Sequence, residues 1–576
     1  MYALTNLKSK NEGESDISYT LVSSEPLRSK SEKLNPSRWN TVEFYVYYLV
    51  HAVTIPYMFW VSYTISRESH PNYPQYEYYL EDGWLFGRKV DNSDFQFASV
   101  RNNYIPLFLA LVLHVALSRL YRFLFVPSQP AKLPNQHLHQ VYFNLLFSLL
   151  FFYGLCGNGL LKILIILTMN YMIAKVFKGS ILNCVVTWVF NLAILFLNDR
   201  YKGYEFAMVD ERLSFLDDNR GLLRWQVTFN ISMLRMISYN MDYYWSFGKL
   251  AGDGAKEVIL EDMDRNDRDK APLTEKDRIN APCYKEDYNY IYYLSYILYA
   301  PLYLAGPIIT YNNYISQLRY PCRPSFKSVA IYGIRLAGSM LLMEFMLHYM
   351  YVVAIAKRHA WQGDSPVELG MIAYFNLKLI WMKLLIIWRF FRFWAMADGF
   401  QVDENMLRCA SNVYSIRSFW RMWHRSYNRW TIRYIYIPLG GTKYAMYNIW
   451  VVFTFVALWH DISLKLLAWG WLISLFILPE LIATNLFTEK KFGDKPYYRH
   501  VCACGAVLNL LFMVFANLVG FVVGLDGVWD IVKLIFMTVE GIQFFVLSFM
   551  ALFTAVQIMF EIREEEKRRN IDRNRS

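Results

Sequence analysis

A chain of 576 residues that is 55% hydrophobic and 18% aromatic, with 19% charged residues and a mean hydropathy of +0.17, is too apolar and aromatic for a string of soluble domains. Its formal net charge of +11 fits loop lysines and arginines beside anionic headgroups; no basic patch carries a nucleic-acid-binding signature, so the expected partner is the lipid bilayer and not nucleic acid. Seven scattered cysteines, at 156, 184, 283, 322, 409, 502 and 504, form no disulfide framework, and Cys502-Ala-Cys504 lacks the spacing of a zinc site.

Residues 1–40 are polar and predict a disordered tail with no signal-peptide core. A transmembrane domain is expected over 41–560. Apolar runs at Val42–Ile65, Tyr104–Leu124, Val141–Gly154, Leu160–Val176 and Ile181–Leu197 come first. Gly221–Trp245 carries Trp, Tyr and Arg in a pattern that predicts an amphipathic interfacial helix, and Asn230-Ile-Ser232 inside it is a formal glycosylation triplet. The stretch 248–289, centred on ILEDMDRNDRDK, predicts a hydrophilic loop outside the membrane. Spanning character returns at Tyr290–Thr310, where Pro301, Gly306 and Pro307 must break the helix and suggest re-entrant backbone around a lined interior. Val329–Ile355 carries Glu344 and His348, an i, i+4 pair at membrane depth. Gly370–Phe393, Leu464–Thr484, Val501–Val523 and Phe544–Phe560 complete about eleven spanning or re-entrant segments. A charged tail, 561–576, closes the chain.

Ionisable groups at membrane depth are expensive and point to function. The apolar run Val451–Trp459 ends in His460 and Asp461, which makes His460 the first candidate. Upstream, WRMWHRSYNRWTIR places Arg421, Arg425, Arg429 and Arg433 at every fourth residue, one drifting stripe if the segment is a single helix. Guanidinium forks suit phosphate groups such as those of acyl-CoA or a phospholipid; interfacial anchoring is the plain alternative. His424 and Asn428 form the adjacent polar row, with Trp423 and Trp459 flanking the two histidines in the expected substrate site. A neutral imidazole is a suitable general base for a hydroxyl attacking a thioester.

WRMWHRSYNRWTIRYIYIPLGG, the apolar run ending in His460, and APLYLAGPII resemble the membrane-bound O-acyltransferase family. GWLFGRKVDNSD, LRMISYNMDYYW, LWHDI and AVQIMFEIREEEKR are similar to its yeast glycerol uptake branch, whose members are implicated in remodelling glycosylphosphatidylinositol (GPI) anchors in the endoplasmic reticulum. The resemblance implies an all-α polytopic bundle with a tunnel, acyl-CoA as co-substrate, and a lysolipid or lyso-GPI-anchored protein as acceptor. It also implies residence in the endoplasmic reticulum membrane, with the plasma membrane as a further site. The family's embedded histidine falls on His460 and its second polar position on His424. A further likeness, to hedgehog acyltransferase, implies a haem-ligating cysteine fifteen residues before that second position, where Cys409 stands. A solute transporter and an inactive scaffold are the alternatives; the chain shows no internal repeat of the transporter kind.

Overall fold

The computed structural model describes residues 35–125, 136–248 and 274–571. The expected tail over 1–34, the middle of the 248–289 loop and residues 572–576 lie outside the described residues. Among the described residues ten helices are long and apolar enough to cross a membrane, and the two strands are a single antiparallel hairpin, β1 (Leu80–Asp82) with β2 (Lys89–Asp91). The fold is an all-α polytopic bundle. Its outward faces are greasy: Leu146 and Leu150 on helix Gln136–Cys156 are 63% and 66% exposed, and Leu109 and Leu113 on helix Tyr104–Phe125 are 64% and 55% exposed. In water such a surface would drive aggregation; against lipid it costs nothing.

Three expected segments take a different form. Tyr290–Thr310 is not one span, because the helix stops at Ile297 and resumes only for Ala300–Tyr303. Prolines 301 and 307 bring no amide hydrogen, and the carbonyls of Tyr296 and Ile297 are instead satisfied by the buried Arg235 guanidinium at 2.9 and 2.7 Å. Helix Trp225–Trp245 is not interfacial either; Met233, Leu234, Met236, Ile237 and Tyr239 on it are wholly buried. Its polar residues bond inward, Asn240 to Thr187 at 2.7 Å and Asp242 to Arg433 at 3.0 Å, which is why a headgroup-like composition sits in a core. The charged 561–568 stretch continues helix Val539–Arg568, held by Glu561 to Arg499 at 3.3 Å and Glu566 to Arg408 at 2.7 Å.

Two large apolar clusters organise the bundle. One surrounds helix Trp225–Trp245 and includes Tyr427, Trp430, Phe455 and Trp459. The other surrounds helix Pro366–Asp398 and includes Ile416, Phe419, Met422, Trp469 and Ile473. The chain passes from the second to the first between Met422 and Tyr427, and back again between Trp459 and Trp469. His424 and His460 stand at these two crossings.

The hairpin is pinned to the end of helix Phe326–Tyr349. Glu344 accepts two bonds from Arg101, at 2.7 and 2.8 Å, and one from Trp84 at 3.0 Å. Gly83 has no room for a side chain, since a Cβ there would lie 2.3 Å from the Arg88 carbonyl and 2.6 Å from the His348 ring. The Glu344–His348 pair is thus part of the hairpin's anchor.

Candidate active site

The segment around His424 is built to turn sharply. Helix Ile416–Met422 starts where Glu480 accepts from the Ile416 amide at 2.9 Å and from the Ser415 hydroxyl at 2.6 Å, a carboxylate at a helix N-terminus. The helix stops at Trp423, and His424 takes φ 45°, ψ 53°, a left-handed conformation, before helix Arg425–Thr431 begins. Such a conformation costs of order 1–3 kcal/mol and persists only where the surroundings over-determine it. Here Asn405 accepts from both following amides, with its carbonyl from Arg425 at 3.2 Å and its side-chain oxygen from Ser426 at 3.1 Å. Ser426 Oγ in turn accepts from the Ile308 amide at 2.8 Å, tying the turn to the broken stretch after Pro307. The arginine-rich stretch is therefore two helices with a left-handed break between them, followed by a π-helical turn over Ile432–Tyr436.

Stacked rings join the two histidines. His424 lies 4.8 Å from Trp388 and 5.3 Å from Tyr427, both near-parallel. Tyr427 stacks on Trp459 at 4.7 Å, and the Trp459 ring is 4.9 Å from that of His460. Trp459 is itself fixed by a reciprocal pair with Asn230: its indole donates to the Asn230 carbonyl at 2.9 Å, and the Asn230 amide donates to the Trp459 carbonyl at 3.0 Å. Asn230 is thus committed to the end of helix Ala445–His460 and unsuited to glycosylation.

Both histidines open on one cavity of about 2510 Å³. Pockets for one small ligand run to about 300–1,000 Å³, so this one has room for two substrates together. His460 is exposed, and that exposure is to the cavity. Trp423, Asn428 and Arg421 share the wall. Trp459, Arg425, Arg429 and Arg433 do not reach it, which corrects the expected arginine stripe. The left-handed break at His424 divides the stripe, and the last three arginines meet carboxylates. Arg425 is 4.0 Å from Asp403, Arg429 pairs with Glu275 at 2.8 Å and with Asp403, and Arg433 pairs with Asp242 at 3.0 Å. Burial pushes the Asp403 carboxyl up to about 6, and neighbouring Glu275 acts in the same direction. Glu275 begins helix Glu275–Asn280, so the end of the hydrophilic loop is docked on these arginines.

Cys409 does not fit a haem. It is exposed at the start of a single helical turn, Ala410–Asn412, and is not on the cavity wall; an iron porphyrin needs an enclosing apolar slot around its axial thiolate. Among the described residues no three His, Cys, Asp or Glu side chains gather as a metal site.

Sequence reasoning passed over Asn405, Ser426, Tyr427 and Trp388, and met Asn230 only as a glycosylation triplet. Tyr427 alone carries a local signal, lying three residues after His424 and so near it along a helix face. The others act across twenty residues or more, which no local pattern encodes.

A bundle of membrane-length helices around a large apolar cavity, on which two histidines open, defines a polytopic membrane protein with a candidate site among its membrane-length helices. The family model for MBOAT, the membrane-bound O-acyltransferase family, matches residues 212–525, which include both histidines and the broken helix. The chain is 44% identical over 548 residues to "Membrane-bound O-acyltransferase GUP1" of Candida tropicalis, covering 94% of this chain and 90% of the relative. It is 43% identical over 551 residues to the Saccharomyces cerevisiae protein of that name, covering 95% of each. "Protein-cysteine N-palmitoyltransferase HHAT" of Mus musculus is 26% identical over 198 residues, 32% of this chain and 38% of that one. The chain belongs to the membrane-bound O-acyltransferase family, and it is an acyltransferase.

Proposed function

We propose that the protein transfers a long-chain fatty acyl group from acyl-CoA to a lysolipid hydroxyl, with lyso-GPI anchors as the acceptor class, in the endoplasmic reticulum membrane. The observation that carries this reading is the single apolar cavity on which both His424 and His460 lie. His460 takes the proton of the acceptor hydroxyl as its oxygen attacks the thioester carbonyl; the tetrahedral adduct collapses, the C–S bond breaks, and the imidazolium returns the proton to the leaving thiolate. His424, held in its left-handed turn and stacked between Trp388 and Tyr427, orients the reacting groups. Both substrates are present together, so no acyl-enzyme is required. Arg421 and Asn428, on the cavity wall, contact the donor, with Trp423 against the acyl chain. Arg425, Arg429, Arg433 and Trp459 support the site from behind.

Purified protein in liposomes, given radiolabelled acyl-CoA and lysolipid, should form the diacyl product. Glycerol flux across the same liposomes with no acyl transfer would sink the proposal.

A further inference from the structure

The turn at His424 is templated by residues 405–408. Asn405 accepts from the Arg425 and Ser426 amides, and Met406 pairs with Trp423 in an antiparallel bridge, so this segment grips the backbone on both sides of His424. A template can hold a left-handed residue only if it is itself fixed. Its front end is fixed locally: Arg392, on helix Pro366–Asp398, donates to the Val402 carbonyl at 2.9 Å and to Glu404 at 3.1 Å. Its rear end is fixed from the far end of the chain. Arg408 donates through both guanidinium branches to the two oxygens of Glu566, each at 2.7 Å, across 158 residues of sequence. The pair is largely buried, with side chains 9% and 11% exposed.

Glu566 stands in the last turn of helix Val539–Arg568, and the same end of that helix holds the residues that follow Arg408. Arg563, 3.8 Å from Glu566, donates to the Asn412 carbonyl at 2.6 Å and to its side-chain oxygen at 3.0 Å, and Phe560 packs edge-on against Tyr414 at 4.8 Å. The helix end is braced in turn, because Glu561 pairs with both Arg499 and Arg568. A bidentate guanidinium–carboxylate pair fixes direction as well as distance, and Arg408 lies only three residues from Asn405. Glu566 does not line the cavity, whereas His424 does. We infer that Glu566 is a positioning residue: through Arg408 it sets the segment that holds His424 in its turn, which makes the C-terminal helix part of the site's construction. The inference rests on the acyl-transfer reading for what His424 does on the cavity; whether Glu566 sets the turn is measured separately.

The test pairs hydrogen–deuterium exchange with kinetics on the purified full-length protein in nanodiscs. In Glu566→Ala the amides within residues 423–428, two of which bond to Asn405, should exchange at least about tenfold faster, with helix Trp225–Trp245 unchanged. Turnover should fall about ten- to a hundredfold while acyl-CoA affinity stays within about threefold, the pattern of a misplaced group and not of a lost binding contact. The exchanged pair, Arg408→Glu with Glu566→Arg, should restore both protection and most of the turnover. Should Glu566→Ala not be recovered folded, Glu566→Gln, which keeps the volume and one acceptor oxygen, carries the test with exchange about threefold faster. Unchanged exchange at residues 423–428 would overturn the inference. So would faster exchange with undiminished turnover, a parallel loss of turnover, donor affinity and melting temperature, or a defect that the exchanged pair does not relieve. Faster exchange at the turn in a protein whose wild type transfers no acyl group would leave Glu566 setting the turn while the acyl-transfer reading fell.

Discussion

The two sides of residues 416–436 differ in what surrounds their polar groups. On the cavity side, His424 and Asn428 face an apolar space through rings and backbone contacts. On the far side Arg425, Arg429 and Arg433 are matched to Asp403, Glu275 and Asp242. Side chains that look alike in the sequence are therefore split between chemistry and architecture by one residue in a left-handed conformation. Mutations on the two sides should fail in different ways: loss of turnover with the fold intact on one, loss of the fold on the other.

The largest effect is expected at His460. Replacing it with Ala should lower turnover by roughly 10² to 10⁴, the usual contribution of general-base catalysis, with a wild-type elution profile. Next comes Arg433→Ala, which leaves Asp242 buried and unpaired; breaking such a pair costs about 3–5 kcal/mol. It should appear as a lowered melting temperature and poor recovery of monodisperse protein, and an active, stable Arg433→Ala enzyme would move that arginine out of the architecture.

A milder contrast lies at His424. Asn tolerates the left-handed region and a β-branched residue does not. His424→Asn should keep the melting temperature within a few degrees and show partial activity, while His424→Val should lose about 1–3 kcal/mol of stability. Equal melting temperatures would show that the turn is not strained. Smallest is Arg421→Ala, on the cavity wall, expected to raise the acyl-CoA KM severalfold with little change in kcat. Arg421→Lys should restore part of that loss because an ammonium lacks the bidentate fork; unchanged KM would return Arg421 to anchoring.

The membrane-length helices and both histidines were legible in the sequence because hydropathy over a run of residues and a lone ionisable group within it are local signals. The stripe of arginines misled for the same reason. Its four-residue spacing assumes an unbroken helix, and the turn at His424 is imposed by Asn405, which is near in space but has no periodic relation to it. Helix Trp225–Trp245 misled in a related way: Arg235, Asn240 and Asp242 look like headgroup contacts until their partners, on three other segments, are known. The break at Pro301 and Pro307 was readable, but not that Arg235 would cap it. Composition also could not show that both histidines fall where the chain crosses between two apolar clusters, since that depends on how the clusters meet.

The central claim, that His460 performs chemistry and does not merely fill space, is tested most directly by single-turnover transfer with purified His460→Ala protein preloaded with labelled acyl-CoA. Donor affinity should be measured on the same sample. Affinity within about threefold of wild type, with the transfer step slowed at least about a hundredfold, is the predicted result. A well-folded His460→Ala protein that transfers the acyl group at near the wild-type rate would contradict it.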